Sequence, residues 1–273
     1  MRKSLDSCAE AICIIANQFG IIDSRPYVSR FDCCGPPAGS AAFSTACEMY
    51  NFNFDSLYPF LGTLPAAIWK TVEISLLATI FSAIMGVFLA LMRTSKHVAV
   101  RSIGATYVEI IRNMPLLVLL YLIFFGLPAL GLVLSGYLSG LIALTLNSAA
   151  FMTEIFRAGL LAIAKGQYEA ARAQGMTRAH MYRFVILPQI FRVTYAALGN
   201  QVIGVIMGSS IMMIATVEEV TAWMANTGSV TYRYFETFSV AAIVYLVLCQ
   251  TANLVRIALG RYLFKTVAAG GRW

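Results

Sequence analysis

Long apolar runs alternate with short charged connectors along this chain. Runs near 66–92, 106–134, 137–158, 192–216 and 237–260 each approach or exceed the roughly 20 residues a helix needs to cross a bilayer. They predict an all-α membrane protein with about five transmembrane helices. In lipid every backbone N–H and C=O must be satisfied within its own segment, and helices do that. Residues 1–56 read as an N-terminal extension, 57–264 as the transmembrane domain and 265–273 as a short tail. One interruption stands out: a basic, mostly polar segment of roughly thirty residues between the third and fourth runs.

Composition agrees with this pattern. The chain is 59% hydrophobic and 12% charged, with a mean hydropathy of +0.74, which excludes an ordinary soluble domain. A net charge of +7 could suggest nucleic acid, but its placement argues against that partner and for anionic lipid headgroups. Arg93, Lys96 and Arg101 follow the first run; Lys165, Arg172, Arg178, Arg183 and Arg192 fill the polar segment; Arg256, Arg261, Lys265 and Arg272 close the chain. No positive residue lies between Leu127 and Tyr137, and only Arg233 lies between Thr216 and Thr237. Lys and Arg collect on the cytoplasmic side, so the N-terminus is expected outside and the C-terminus in the cytoplasm.

The polar segment predicts two short helices broken at Gly175. Good helix formers run from Tyr168 to Gln174, Gly175 suits a helix end, Thr177 can cap a second helix and Pro188 can open the next one. Glu169-Ala170-Ala171, three residues, Gly175, nine residues, then Val185-x-Leu187-Pro188 resembles the signature loop of ATP-binding-cassette (ABC) importer permeases. The family usually has Ile where this chain has Val185, another apolar β-branched residue. The resemblance covers about residues 57–264. It implies the type I importer fold, and a loop that docks on a cytoplasmic ABC ATPase which binds the ATP and Mg. It also implies a second permease copy or paralogue and an external solute-binding protein, all in a bacterial cytoplasmic membrane. Taken without the resemblance, the segment reads as an amphipathic helix pair held on headgroups by its arginines.

Polar residues inside the runs are candidates for a substrate path, since intramembrane polar groups are costly and usually face the bundle interior. Glu109 and Arg112 share a face, and Pro115 should kink or restart the second helix. Asn147 and Glu154 share a face of the third run with Ala150 between them. Glu154 either meets a substrate amine or pairs with Arg157 or Arg112. Asn200, Gly204 and Gly208 share a face of the fourth run, suited to close helix contact or a polar substrate. Ser209 and Ser210 either hydrogen-bond a ligand or bond back to the preceding turn. The stretches around Glu109–Pro115 and Asn147–Gly159 resemble the polar amino-acid branch of the same family. Relatives often carry a Lys-Asp pair where this chain has Met207-Gly208. Ala78, Ser82, Gly86 and Ala90 form a small-residue stripe for packing. Glu218, Glu219, Arg233 and Glu236 are expected in a solvated external loop that could meet a delivery protein.

Five of six cysteines lie in the first 48 residues without any zinc-type spacing. Met49 opens a stretch that looks like the start of many permeases, so translation is expected to begin there. No Gly is followed by Lys, so a phosphate-binding loop is absent. His97 and His180 are the only histidines; neither a catalytic nor a metal constellation is expected, and ATP hydrolysis is assigned to a separate chain. The reading is a permease subunit importing a polar amino acid or derivative. Its rivals are an ion-coupled secondary transporter, which would want internal repeats, and a non-transporting membrane scaffold.

Overall fold

The computed structural model describes residues 52–263, and all of them lie in helices, turns or short connectors. The expectations for Met49, for the cysteines of the first 48 residues and for the tail at 265–273 fall outside the described residues.

A 3-10 turn, Asp55–Leu57, and one helical turn, Tyr58–Leu61, lead into α1, Leu64–Arg93. Pro65 occupies its first turn, where a missing N–H does no harm. The predicted stripe Ala78, Ser82, Gly86 and Ala90 is buried. It packs on α4, Gly136–Leu161, where a Cβ on Gly86 would stand 2.9 Å from the Met152 Cβ. Ser135 caps α4, accepting the Leu138 N–H at 3.3 Å.

Between them lie α2, Val98–Asn113, and α3, Leu116–Ala129, bent 106° from one another. The span expected at 106–134 is therefore two rods, restarted at Pro115 as its missing N–H predicts. Met114 is extended, at φ −98° and ψ 129°, because the Pro115 ring disfavours the helical region for the residue before it. Pro115 then starts α3 through its carbonyl, which accepts the Leu119 N–H at 3.2 Å.

After α4 come α5, Lys165–Ala173, and α6, Arg178–Ala215. The fourth run thus begins well before 192. Pro188 does not start a separate helix; it sits inside a continuous one, behind a π turn at Tyr182–Ile186. The same arrangement recurs in α3, where a π turn at Leu122–Gly126 precedes Pro128. Each proline lacks an N–H and crowds the carbonyl four residues back, at Phe184 or Phe124. The wider turn makes room for that clash. The last stretch of α6, Ser209–Ala215, tightens to 3-10 geometry.

The connector at 217–236 is the largest departure from expectation. It folds as α7, Val220–Thr231, before α8, Tyr234–Leu263. Trp223 of α7 is buried with Ala67 of α1 and Ala241 of α8. Glu219 and Glu236, expected in a solvated loop, are fully buried, whereas Glu218 is exposed.

Among the described residues, four helices are long and apolar enough to cross a membrane, and the bent α2–α3 pair supplies a fifth candidate. The main core joins Ile74 and Ala78 of α1, Ile123 of α3, Ala143 and Ala150 of α4, and Val205 and Met212 of α6. Large apolar side chains such as Phe81, Phe88, Leu246 and Leu254 point outward. On a soluble protein such a surface would be anomalous; here it is the face lipid solvates.

Gly136 sits so close to α6 that a Cβ would collide with the Ala215 carbonyl oxygen, whereas a Cβ on Gly126 would meet nothing. Gly136→Ala is expected to destabilise the protein by about 1–3 kcal/mol, and Gly126→Ala to be near neutral. Thermal unfolding of both variants in one detergent checks this.

Candidate functional site

The polar segment between α4 and α6 folds on a small core of its own. Ile163, Ala171, Met181, Ile186 and Ile190 are buried together, with Leu160, Tyr168, Met176 and Val185 against them. α5 ends in a left-handed glycine: Gly175 has φ +71°. The Met176 N–H reaches the Ala171 carbonyl at 3.1 Å, and the Gly175 N–H reaches that of Arg172 at 2.9 Å. These two bonds and the Met176–Ala171 contact form a Schellman ending, which needs positive φ at the position Gly175 fills. Thr177 caps the next turn, accepting the His180 N–H at 3.4 Å.

The motif residues divide by direction. Ala171 is buried and Val185 half-buried; Glu169, Ala170, Gly175, Leu187 and Pro188 are exposed. Glu169 and Ala170 therefore stand on the outer surface of a braced helix. Ile186, the unassigned position of the motif, is completely buried. Linear spacing gave no sign of this, because it depends on which side of the π turn meets α5. Tyr168 and Tyr182 pack edge to face at 6.3 Å, and Gln189 Nε2 donates to Gln167 Oε1 at 3.3 Å. Both contacts tie α5 to α6.

The proposed path residues are not gathered at one point. Glu154 accepts from Arg157 at 2.7 and 3.1 Å and pairs with Arg93 at the end of α1. Arg93, rather than Arg112, is its second partner. Arg112 forms no ion pair among the described residues; its guanidinium lies 5.5 Å from the centre of the Phe151 ring. Asn147 is half-buried on α4 and Asn200 is exposed on α6. Gly204 faces open space, whereas Gly208 lies against Leu144 and Leu116, so the expected common face of Asn200, Gly204 and Gly208 splits. Ser209 and Ser210 each donate back to the preceding turn at 2.7 Å, to the carbonyls of Ile206 and Met207.

At the opposite end of the bundle from the loop, sequence reasoning missed a polar knot. Glu219 caps α7, accepting the Thr221 N–H at 2.8 Å and the Ala222 N–H at 3.1 Å. It also accepts the Tyr245 hydroxyl of α8 at 2.7 Å. Thr71 of α1 accepts the Val220 N–H at 3.3 Å. Burial pushes the Glu219 carboxyl up from its usual range, while the hydrogen bonds from Tyr245, Thr221 and Ala222 pull it down. The readable signal was the acidic pair Glu218-Glu219, since carboxylates are enriched at helix N-termini. Both ends of this element carry non-glycine residues in the left-handed region: Thr216 at φ 60° and Tyr232 at φ 56°.

Residues 82–267 match the family described as "Binding-protein-dependent transport system inner membrane component". The chain is 36% identical over 203 residues to the probable amino-acid permease protein YxeN of Bacillus subtilis (strain 168), spanning 73% of this chain and 91% of that protein. It is 35% identical over 214 residues to the L-cystine transport system permease protein TcyB of the same organism, spanning 77% and 90%. The nopaline transport system permease protein NocM of Agrobacterium fabrum (strain C58 / ATCC 33970) is 36% identical over 193 residues, spanning 67% and 80%. Among solved structures, an amino acid ABC transporter crystallised with histidines superposes with a TM-score of 0.73 at 35% identity, covering 78% of this chain and 100% of that one. A MetNI methionine ABC transporter superposes at 0.63 with 20% identity, covering 75% and 98%, a likeness of fold alone.

Removing Glu219 leaves a buried hydroxyl and two amides without an acceptor. Glu219→Ala is expected to cost about 1–3 kcal/mol, and Glu219→Gln less, since its carbonyl still accepts. Unfolding of the purified variants and faster hydrogen exchange confined to α7 check it.

Proposed function

Because the chain belongs to the family of binding-protein-dependent transport system inner membrane components, we infer that it is the permease subunit of an ABC importer for a polar amino acid or amino-acid derivative. It is a multi-pass membrane protein with the importer permease fold, and it is the transport subunit rather than the catalytic one. An ion-coupled secondary transporter is not favoured, since the family is one of binding-protein-dependent systems.

The partners we propose are a cytoplasmic ABC ATPase, which binds ATP and Mg, a second permease copy or paralogue, and an external solute-binding protein. The proposed orientation places the N-terminus outside and the C-terminus in the cytoplasm of a bacterial cytoplasmic membrane. This puts the α5 loop on the cytoplasmic side with Lys165, Arg172, Arg178 and Arg183.

One observation carries the mechanism. Glu169 and Ala170 are exposed on a helix whose other side is locked by Ala171, Met181, Ile186 and Ile190 to the ends of α4 and α6. A push on that exposed face reaches two bundle helices as a rigid displacement rather than being absorbed by a floppy loop. ATP-driven closure of the ATPase pair would bring two such loops together, and the bundles would rock between outward- and inward-open states. The chain itself performs no covalent chemistry. Glu154, held between Arg93 and Arg157, ties α1 to α4, so these helices move as one.

Glu169→Lys reverses the charge on the exposed face without touching the buried base. Tagged wild-type protein in mild detergent is expected to co-purify with an ABC ATPase, and Glu169→Lys to lose it and abolish uptake while still inserting. Gly175→Pro, which cannot adopt positive φ, is expected to abolish uptake as well. A folded, monodisperse sample that brings down no ATPase would overturn the coupling reading.

A further inference from the structure

A cavity of about 820 Å³ opens beside α7, with walls from α1, the start of α4, and the residues between α6 and α7. By the proposed orientation this is the outer mouth of the bundle. Its floor is rigidly set. The strained Thr216, at φ 60°, is a β-branched residue where such backbone is rare. The preceding carbonyl, of Ala215, is pressed against Gly136. The buried Glu219 pins the other end of this connector to α8 through Tyr245.

Two charged residues line this cavity, Lys70 and Glu218. Lys70 is already engaged: its ammonium lies 3.0 Å from Glu73 Oε2 and 5.6 Å from the centre of the Tyr137 ring. Tyr137 donates to the other Glu73 oxygen at 3.0 Å. Glu218 is exposed, with no ion-pair partner among the described residues. Lys70 is thus paired with Glu73 outside the lining, and Glu218 is the lining charge without an ion-pair partner among the described residues. Four aromatic residues, Phe60, Trp69, Tyr137 and Trp223, contribute to the remaining walls, among small and aliphatic ones. Trp69 and Trp223 flank the space, and the Trp223 ring is fixed by its N–H, which donates to the Phe60 carbonyl at 3.1 Å and to Thr63 Oγ1 at 3.0 Å. Flat π faces beside a lone carboxylate suit a planar, weakly hydrated cation.

We propose that this outer cavity is a binding site for amino acids with a net positive charge, above all those with a guanidinium group, and that Glu218 is its charge-selecting residue. The proposal rests on the importer reading and narrows its substrate class. The cation enters between the aromatic walls and meets Glu218, and an anionic amino acid is repelled there. Asn226, also on the wall, offers a carboxamide to the ligand's remaining polar groups.

The test uses the permease with its co-purifying ATPase in nanodiscs, without any solute-binding protein, titrated with L-arginine, L-glutamine and L-glutamate. L-arginine is expected to bind at least about tenfold more tightly than L-glutamine, and L-glutamate weakest. Glu218→Gln is expected to weaken L-arginine about tenfold and to leave L-glutamine unchanged, with an unfolding temperature equal to that of the wild type. Ala66→Trp, which fills the cavity, is expected to remove L-arginine binding. Equal or tighter binding of L-glutamine or L-glutamate, unchanged L-arginine binding in Glu218→Gln, or no binding of any of the three overturns the proposal. ATP hydrolysis by the same wild-type sample separates the two readings. If it is present, only the cavity proposal fails; if no ATPase is bound at all, the importer reading fails first.

Discussion

Close contact between α1 and α4 is the constraint on which the rest of the bundle depends. Lipid tails are as apolar as Leu, so nothing hydrophobic pushes two membrane helices together. Their association rests on packing and on the few polar contacts they share. The stripe Ala78, Ser82, Gly86 and Ala90 lets the backbones approach. Gly86 meets Met152, whose sulfur in turn accepts the Ser82 hydroxyl at 3.3 Å. Arg93 and Glu154 then lock the same pair at the loop end. With α1 and α4 fixed, α3 and α6 have a surface to bury against, and α7 has a place to dock.

Prolines shape what hangs on that frame. Pro115 turns the chain through 106°, while Pro128 and Pro188 are absorbed by π turns that keep their helices continuous. The difference lies in what precedes them. Met114 gave up helical geometry, whereas Phe124 and Phe184 kept it in a widened turn. Because α6 runs unbroken through Pro188, the small core under the loop is mechanically one piece with a long bundle helix. That continuity is what the proposed coupling role of the loop requires.

The other end of the bundle is built on buried carboxylates. Glu219 is satisfied by two amides and a tyrosine hydroxyl, and Glu236 accepts the Asn53 N–H at 3.2 Å and faces Arg233 at 3.5 Å. A buried carboxylate is tolerated only with such partners. Glu219 holds the start of α7 against α8, while its neighbour Glu218 faces the cavity.

Much of this was legible in the sequence. Apolar run lengths determined the helical membrane class and, within a few residues, where α1, α4 and α8 lie. The spacing from Glu169 to Pro188 located the loop and its glycine, because positive φ and helix caps are local requirements that local residues reveal. The tendency of Ser209 and Ser210 to bond backward was also local. Partnerships between distant segments were not written there. Arg93 rather than Arg112 meets Glu154 because α1 and α4, far apart in sequence, pack with their loop ends together. Ile186 rather than Leu187 is buried because of a π turn. Glu219 is buried while Glu218 is exposed because α7 docks on α1 and α8. Sequence alone determined which segments enter the membrane and which backbone positions need special residues, since both follow from nearest neighbours along the chain. Only the tertiary structure decided which charges are spent on one another and which are not, since that depends on contacts between residues far apart in sequence.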